Sequence, residues 1–242
     1  MTMILLMAKK LIDLEFVSWF RIYKPGNYIL TKENAYLRIL RRLGEYINGV
    51  TLARQNINRL KPQFLVEITG DVLDIGGFDG IFKNYYKNGK YLNVDIIDGP
   101  QIDLVADLAN MKEIESNTIG GIICVSVIEH TLNPESAIRE IYRCLKPGGK
   151  AFVSSPWLFE MHMMPNDYLR FSSYMCEKYF NAFDIIGVNY TNSYFGLLAH
   201  IAQHNIFLRL TFGLAFFLVD AVCKDTPKWA TQISYILQKP LK

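Results

Sequence analysis

A glycine-rich turn and an acidic residue further along the chain form a pattern that could bind a ligand. The turn follows Val72–Ile75, an apolar strand candidate that contains Asp74, and includes the glycines Gly76, Gly77 and Gly80. Glycine between a strand and a helix lets the backbone approach a ligand closely. Asp95 lies 21 residues after Asp74, at the end of the next strand candidate, where a carboxylate can accept both hydroxyls of a ribose. The spacing therefore indicates a site for a ribose-containing ligand.

Two other kinds of site are disfavoured. The dinucleotide fingerprint Gly-x-Gly-x-x-Gly is absent because Phe78 occupies its middle glycine position, and no Lys-Ser/Thr pair closes a phosphate loop. The cysteines lie at least 20 residues apart, without a CxxC pair or a histidine at ligand spacing: Cys124, Cys144, Cys176 and Cys223. We therefore predict no bound metal, and free thiols in a reducing, cytoplasmic compartment.

The composition indicates a globular chain with a basic N-terminal region. Of 242 residues, 50% are apolar and 20% are charged, which excludes a mainly disordered protein. Residues 1–70 contain 11 Lys/Arg and 5 Asp/Glu, whereas residues 71–242 contain 15 and 18. A nucleic acid or an anionic membrane could bind the basic region, but charges mixed with apolar residues at helical spacing favour a solvated helical face. Lys61 is one of those charges.

From residue 72 onward, short runs rich in β-branched residues alternate along the sequence with helical stretches. The strand candidates are Val72–Ile75, Tyr91–Asp95, Ile102–Val105, Ile119–Val125, Lys150–Ser154, Ile185–Tyr190 and Ile233–Gln238. The clearest helix is capped by Asn133, has Pro134 in its first turn, and is predicted to end at Pro147-Gly148-Gly149. This alternation predicts an α/β fold, a mostly parallel sheet with helices on both faces, behind an N-terminal helical extension.

A fixed order of short motifs follows the turn. The second and third strand candidates end in Asn93-Val94-Asp95 and Val105-Ala106-Asp107-Leu108, and the fourth runs through Ser126 to Glu129-His130. The following helix leads to Leu145-Lys146-Pro147-Gly148-Gly149. Over about residues 70–190 this order resembles the class I S-adenosylmethionine-dependent methyltransferases. It is most similar to the branch with Glu-His after strand four and Leu-Lys-Pro-Gly-Gly after the helix.

The resemblance implies a Rossmann-like sheet of seven strands, the last antiparallel, and S-adenosyl-L-methionine as the cofactor. Asp74 and the glycine turn correspond to the wall that faces the methionine part, and Asp95 to the acid that binds the ribose. Asp107 corresponds to the residue that accepts from the adenine amino group, with Leu108 beside the ring; the alternative for Asp107 is a strand-end cap. The candidate cofactor-binding residues are Asp74, Gly76, Gly77, Phe78, Gly80, Asp95, Asp107, Leu108 and Ser126.

Phe78 departs from the family pattern, which usually has glycine at this position. Its ring can crowd the cofactor, or offer its face to the sulfonium cation in a contact worth about 0.5–2 kcal/mol. The structural alternative is a core side chain beneath the first helix. Because of Phe78, the alternative function is a non-catalytic methyltransferase-like binding or partner protein.

Candidates on the acceptor side follow the fourth and fifth strands. Methyl transfer needs a nucleophile held in line, and a base where the acceptor must lose a proton. His162 is our candidate base, because an unperturbed pKa of about 6.5 suits proton removal at neutral pH. His130 and Asp167 are the other candidate catalytic residues. The alternatives are a polar network of His162, Asp167 and Arg170 that pins the loop, and a structural pairing of His130 with Glu129.

The segment Phe195–Val222 is unusually apolar for a soluble enzyme. A helix that is apolar nearly all round must be buried: against the sheet and N-terminal helices, in a homodimer, or at a membrane or lipid-like acceptor. Within Ile206–Cys223, the part that could be taken for a membrane span, Arg209 and Asp220 leave only Leu210–Val219 uncharged, which is too short to span a bilayer. The basic N-terminal region favours the membrane option, because each cation contributes about 1 kcal/mol near an anionic surface.

We predict two regions, a helical extension or lid over residues 1–69 and a methyltransferase domain over residues 70–242 that includes the apolar segment 195–223. The predicted acceptor is a small molecule or a glycan- or lipid-linked intermediate, because His162–Phe171 resembles a stretch of methyltransferases in glycan or cell-surface biosynthesis. Nucleic acid is disfavoured as a partner, since no aromatic-basic RNA-binding motif is present. The predicted location is the cytoplasm, with peripheral contact to the membrane.

Overall fold

The computed structural model describes the chain in four ranges: residues 35–77, 80, 82–83 and 86–241, with side chains from residue 38 onward. It divides into two compact units, Met1–Asn58 with Tyr190–Thr231, and Arg59–Asn189 with Gln232–Lys242. We call them the helical unit and the sheet unit. The predicted lid over residues 1–69 lies partly outside the described residues, and its boundary stays a prediction.

A seven-stranded sheet with the order β3-β2-β1-β4-β5-β7-β6 organises the chain. The strands are β1 (Val72–Ile75), β2 (Tyr91–Asp95), β3 (Leu104–Val105), β4 (Ile119–Val125), β5 (Leu145–Pro156), β6 (Asp184–Thr191) and β7 (Gln232–Gln238). Strands β1 to β5 pair in parallel, and β7 pairs antiparallel with β5. The predicted Rossmann-like α/β fold and its antiparallel last strand are confirmed.

The central strands are apolar without alternation because both faces of the sheet are covered. All four residues of β1 and six of the seven in β4 are buried, as expected of parallel strands between two helical layers. Gly120 of β4 has a packing reason, since a Cβ there would lie 2.0 Å from the Thr69 carbonyl oxygen. The close approach holds the start of β4 against the segment that leads into β1.

The described helices are α1 (Ala35–Ile47), α2 (Leu52–Val66), α3 (Pro134–Cys144), α4 (Ser173–Tyr179), α5 (Tyr194–Ala202), α6 (Ile206–Leu208) and α7 (Leu214–Asp220), with a π-helical turn at Arg209–Gly213. Asn133 caps α3 as predicted, accepting from the Ser136 backbone N–H at 3.0 Å. The predicted end of α3 is wrong, because the helix stops at Cys144 and Pro147-Gly148-Gly149 lies inside β5. Leu145 already pairs with Ile119 of β4, so the chain joins the sheet before it reaches the proline.

The apolar C-terminal segment buries one face within the helical unit. Phe217 is buried with Tyr46, Leu52 and Ala199, and its ring stacks on Tyr46 at 4.9 Å between centroids. Tyr46 donates to the Ala199 carbonyl oxygen at 2.8 Å, and burial raises the pKa of Tyr46 to about 12. These contacts supply the N-terminal-helix part of one of the three predicted burials, the one against the sheet and the N-terminal helices.

The other face of the same segment is exposed. Phe207 is 68% exposed and Phe212 is 62% exposed, and Ile206, Leu208 and Leu210 are exposed beside them. Across the described part of the chain, no helix combines the length and the apolar character needed to cross a membrane. All four cysteines are free thiols, as predicted.

Candidate active site

The carboxyl ends of the five parallel strands lie at one edge of the sheet. Pairing across these ends joins Ile75 with Val94 and Cys124, Asp95 with Val105, and Val125 with Ser154. Ligands of open α/β sheets bind at this edge, in the crevice where the strand order reverses. Here the reversal falls between β1 and β4. The segments after β1 to β5, which carry the predicted site residues, therefore leave the sheet on the same side.

Two carboxylates at this edge keep an oxygen available. Asp95 Oδ1 accepts from the Ile97 backbone N–H at 3.1 Å, and Asp107 Oδ1 accepts from the Ala109 N–H at 2.9 Å. These Asx turns fix both side chains. Neither Oδ2 accepts a hydrogen bond within the described ranges, so each can accept from a ligand hydroxyl or amino group. Asp107 thus also fills the predicted alternative role of a cap, and Leu108 beside it is buried.

Asp74 has a different position from Asp95 and Asp107. Its side chain is buried and forms an ion pair with Lys61, whose Nζ lies 3.1 Å and 3.2 Å from the two carboxylate oxygens. The Tyr91 hydroxyl donates to Asp74 Oδ2 at 2.5 Å. Lys61 therefore does not lie on a solvated helical face, because the Asp74 charge draws it into the interior. The Asp74 carboxylate packs directly against Gly77 of the glycine turn. Its contact with the cofactor stays a prediction.

The glycine turn packs directly on Asn93, a residue for which the sequence predicted no role. Gly76 and Gly80 have positive φ values of 67° and 59°, and a Cβ on Gly77 would lie 2.2 Å from Asn93 Oδ1. Asn93 is fully buried and donates to the Gln101 carbonyl oxygen at 2.8 Å, while its Oδ1 has no donor in the described part of the chain. Phe78 lies outside the described residues.

This edge fits S-adenosylmethionine by the chemistry of its groups. A buried amide oxygen without a donor beside a glycine turn suits a ligand that brings an N–H or O–H group there, since leaving such an atom without a donor costs about 1–3 kcal/mol. Asp95 and Asp107 add carboxylate acceptors at the neighbouring strand ends. Asn93 could have been found from the sequence only by its place on β2, two residues before Asp95.

Ser126 marks the turn after β4. It has a positive φ of 53°, which is uncommon for a residue with a side chain and concentrates at functional sites. Its backbone N–H donates to the Ser154 carbonyl oxygen at 2.8 Å, and its hydroxyl accepts from Gln232 Nε2 at 3.2 Å. The turn directs the chain into the short 3₁₀ helix Ile128–His130.

Beyond this turn, Glu129, His130 and His162 meet. Glu129 is fully buried, and its Oε1 lies 3.9 Å from His130 Nε2 and 3.7 Å from His162 Nε2. The two imidazole rings meet edge to face with their centroids 4.8 Å apart. We call these three residues the Glu129–His130–His162 cluster. The fold thus joins two predicted catalytic histidines that lie 32 residues apart in the sequence.

Asp167 and Arg170 hold the loop that carries His162. Asp167 accepts from Arg170 Nη1 at 2.5 Å and Nη2 at 2.7 Å, and from the His162 backbone N–H at 2.9 Å. The Arg170 guanidinium holds the pKa of the buried Asp167 carboxyl well below its usual range. Arg170 also donates to the carbonyl oxygens of Phe159 and Glu160. The predicted alternative, a polar network that pins the loop, is therefore present, and the catalytic role of Asp167 stays a prediction.

Contacts of Nδ1 orient the rings of the two histidines in the cluster. His130 Nδ1 lies 2.6 Å from the Asn166 carbonyl oxygen, and His162 Nδ1 lies 3.3 Å from the Glu160 carbonyl oxygen and 3.4 Å from Asp167 Oδ2. The Glu129 carboxylate raises the pKa of His162, against the opposing effect of burial. Both Nε2 atoms are left facing Glu129.

Comparisons with known proteins show the family and the fold of this chain. A family model described as a methyltransferase domain matches residues 36–188. No curated protein matches the sequence. The chain is similar to the crystal structure of the [4+2]-cyclase SpnF (TM-score 0.54, 16% identity, 84% of this chain and 93% of that one). It is also similar to a SAM-dependent methyltransferase from Archaeoglobus fulgidus (TM-score 0.51, 14% identity, 78% of this chain and 93% of that one).

At these identities the solved structures show a shared fold. The family model carries more, because it matches residues 36–188, over half of the chain. The predicted resemblance is confirmed: the chain belongs to the methyltransferase-domain family and is an S-adenosylmethionine-dependent methyltransferase.

Proposed function

We propose that this enzyme methylates a hydroxyl group of a small molecule, or of a glycan- or lipid-linked intermediate, bound against the Glu129–His130–His162 cluster. When bound, S-adenosylmethionine supplies an electrophilic methyl carbon on its sulfonium. The observation that carries the proposal is the cluster itself, which follows β4 and β5 at the ligand-binding edge. A hydroxyl becomes a strong nucleophile when it loses its proton, and this cluster offers a carboxylate and two imidazoles to remove it.

In the proposed cofactor site, side chains and backbone of this chain bind and orient S-adenosylmethionine. Asp95 accepts from the ribose hydroxyls and Asp107 from the adenine amino group, each through the oxygen that its Asx turn leaves available. The positive-φ glycines Gly76 and Gly80 bring backbone to the ligand without side chains in the way. Leu108 lies buried beside Asp107 and supplies an apolar contact for the adenine ring.

Calorimetry tests the cofactor half of the proposal. Asp95→Ala should weaken S-adenosylmethionine and its demethylated product by about 10–100-fold, because a hydrogen bond to a charged acceptor is worth about 1.5–3 kcal/mol. Asp98→Ala is the matched control, since this exposed aspartate lies three residues further on and accepts from the Gly99 N–H. Equal affinities in Asp95→Ala and wild type would contradict the assignment. No binding by wild type would favour the non-catalytic partner protein.

On the acceptor side, we assign His162 Nε2 as the atom that takes the proton from the acceptor hydroxyl when the cluster holds no other ligand. Its raised pKa matches a group that takes a proton and keeps it through the transfer. Asp167 and Arg170 keep the ring in place, and His130 flanks the acceptor position. This division of roles makes His162 catalytic and Asp167 positioning.

The exposed face of the apolar segment supports an acceptor at a membrane surface. Phe207 and Phe212 are the most exposed aromatic side chains there. The described residues of the helical unit carry seven Lys/Arg and three Asp/Glu. Short apolar helices with cationic neighbours bind the interface of anionic bilayers, because they combine apolar burial with electrostatic attraction. This favours the lipid-linked class of acceptor and peripheral contact with the membrane.

Sedimentation with phosphatidylserine-containing vesicles tests the membrane contact. Wild type should co-sediment at low salt, and Phe207→Ser and Phe212→Ser should each lower the partition coefficient by about tenfold or more, since burying a phenylalanine gains about 1.5–3 kcal/mol. Tyr174→Ser is the control, because this aromatic residue is 83% exposed in the sheet unit. If wild type stays in the supernatant at low salt, the membrane contact is wrong.

A further inference from the structure

We propose that the Glu129–His130–His162 cluster binds a divalent transition-metal cation of the zinc class. The proposal deepens the proposed function and rests on it in one respect, the acceptor oxygen that would fill the open position on the metal. The binding of the cation itself stands on the geometry of the three side chains, in which one ligand atom from each lies within 4.8 Å of the other two.

The hydrogen bonds that the two histidines make through Nδ1 leave a lone pair on each Nε2. The Asn166 carbonyl oxygen can only accept, so His130 Nδ1 carries the proton in the 2.6 Å contact. His162 Nδ1 likewise faces two acceptors, a carbonyl and a carboxylate. In a neutral imidazole whose Nδ1 is protonated, Nε2 has no proton. Two lone pairs therefore point at a carboxylate, and an arrangement of three acceptors calls for a cation between them.

Glu129 provides a second, independent observation. Its Oε1 is completely buried and has no hydrogen-bond donor within the described ranges. The gaps of 3.7 Å and 3.9 Å to the histidine nitrogens are too long for hydrogen bonds. A buried carboxylate oxygen without a donor is costly. A bound cation would remove that cost.

The same gaps fit a four-coordinate metal. Zinc–nitrogen and zinc–oxygen bonds of about 2.0–2.2 Å place neighbouring tetrahedral ligand atoms about 3.3–3.5 Å apart. The two separations between Glu129 Oε1 and the histidine nitrogens exceed this by a few tenths of an ångström, and the two nitrogens lie within 4.8 Å of each other, so that side-chain adjustment can bring the three atoms around one cation. The outer contacts also match, because metal-binding histidines donate their other N–H to a carbonyl or carboxylate. Here Asn166, Glu160 and Asp167 offer those acceptors.

Two imidazoles and one carboxylate select the metal class and leave a position open. This ligand set suits zinc and similar cations, whereas magnesium prefers oxygen ligands. Three protein ligands leave a fourth position for the acceptor hydroxyl, whose pKa falls when its oxygen binds the metal, so that its proton leaves to solvent. In this state His162 Nε2 is a ligand, and its role as base belongs to the metal-free protein. No local spacing motif joins His162 to Glu129-His130, so the sequence predicted no metal.

Calorimetry with ZnCl₂ and MgCl₂, on the full chain without cofactor or acceptor, tests the site. We expect one zinc per chain and no response to magnesium. His130→Gln and Glu129→Gln should each weaken zinc by at least about 100-fold, since loss of an outer contact alone costs about 10–100-fold. His204→Gln is the control for adventitious zinc binding, because His204 is an exposed histidine outside the cluster. Cobalt should give the visible absorption of a four-coordinate site, and His130→Gln should abolish it.

Three results would overturn the proposal: no zinc binding by wild type, unchanged affinity in a folded His130→Gln, or loss of affinity in His204→Gln. Thermal unfolding of each variant shows that it is folded. Cofactor calorimetry on the same samples separates the two claims. Cofactor binding without zinc binding contradicts the metal site alone, whereas zinc binding without cofactor binding contradicts the proposed function alone.

Discussion

Replacing His162 with alanine is expected to lower kcat/KM for methyl transfer by about 10²–10⁴-fold, the usual contribution of a positioned proton acceptor. The loss is expected with or without metal, because His162 Nε2 lies 3.7 Å from Glu129 Oε1 at the centre of the cluster. The measurement is transfer of a labelled methyl group to the acceptor under kcat/KM conditions. Affinity for the cofactor should stay within about threefold, since His162 belongs to the acceptor side.

His204→Ala is the control for this prediction, because His204 is exposed and lies outside the proposed machinery. Asp167→Asn adds a second comparison. It removes the carboxylate that accepts from the His162 backbone and from Arg170, and should lower kcat with His162 still present. A kcat/KM for His162→Ala within threefold of wild type would show that His162 is not catalytic.

Removing either partner of the Lys61–Asp74 ion pair should lower the free energy of unfolding by about 3–5 kcal/mol. The two side chains are only 8% and 2% exposed, so each single variant, Lys61→Met or Asp74→Asn, leaves a buried group without its partner. Urea unfolding of the full chain measures the effect. The double variant should recover part of the loss, because a buried pair replaced on both sides leaves no uncompensated charge.

The Lys83–Asp103 pair is the exposed counterpart. Its side chains are 44% and 28% exposed, and Lys83→Met should cost no more than about 1 kcal/mol although the two atoms lie only 2.6 Å apart. If the buried and exposed variants lost the same amount, burial would not be what makes the Lys61–Asp74 pair important. If the double variant lost the sum of both singles, the two side chains would not be coupled.

Strand positions were predictable from the sequence because buried parallel strands have a simple composition. The predicted bounds of β1, β2 and β4 agree with the structure, and β7 begins one residue earlier than predicted. The end of α3 was predicted wrongly because Pro147-Gly148-Gly149 usually ends a helix, whereas here it follows a strand that has already begun at Leu145. A local breaker signal cannot show that sheet pairing starts before it.

The residues of the candidate site also fall into those that the sequence predicts and those that it does not. Asp95 and Asp107 could be selected from the sequence, because parallel strands bring their carboxyl ends to one edge. The burial of Lys61 and the buried acceptor oxygen of Asn93 could not, since both depend on partners in other elements, Asp74 and the glycine turn. The meeting of His162 with Glu129 also depends on how the loop after β5 folds, which no short spacing encodes.

The arrangement of this edge has a consequence for how such an enzyme can diversify. The candidate cofactor groups lie on or after β1 to β4, while the loop held by Asp167 and Arg170 follows β5 and is anchored largely by its own hydrogen bonds. Substitutions or insertions in that loop can therefore change substrate preference without a change in the candidate cofactor-binding residues. Gene duplication followed by exchange of this one loop is a short evolutionary route to a new specificity, and the same exchange is open to protein engineers.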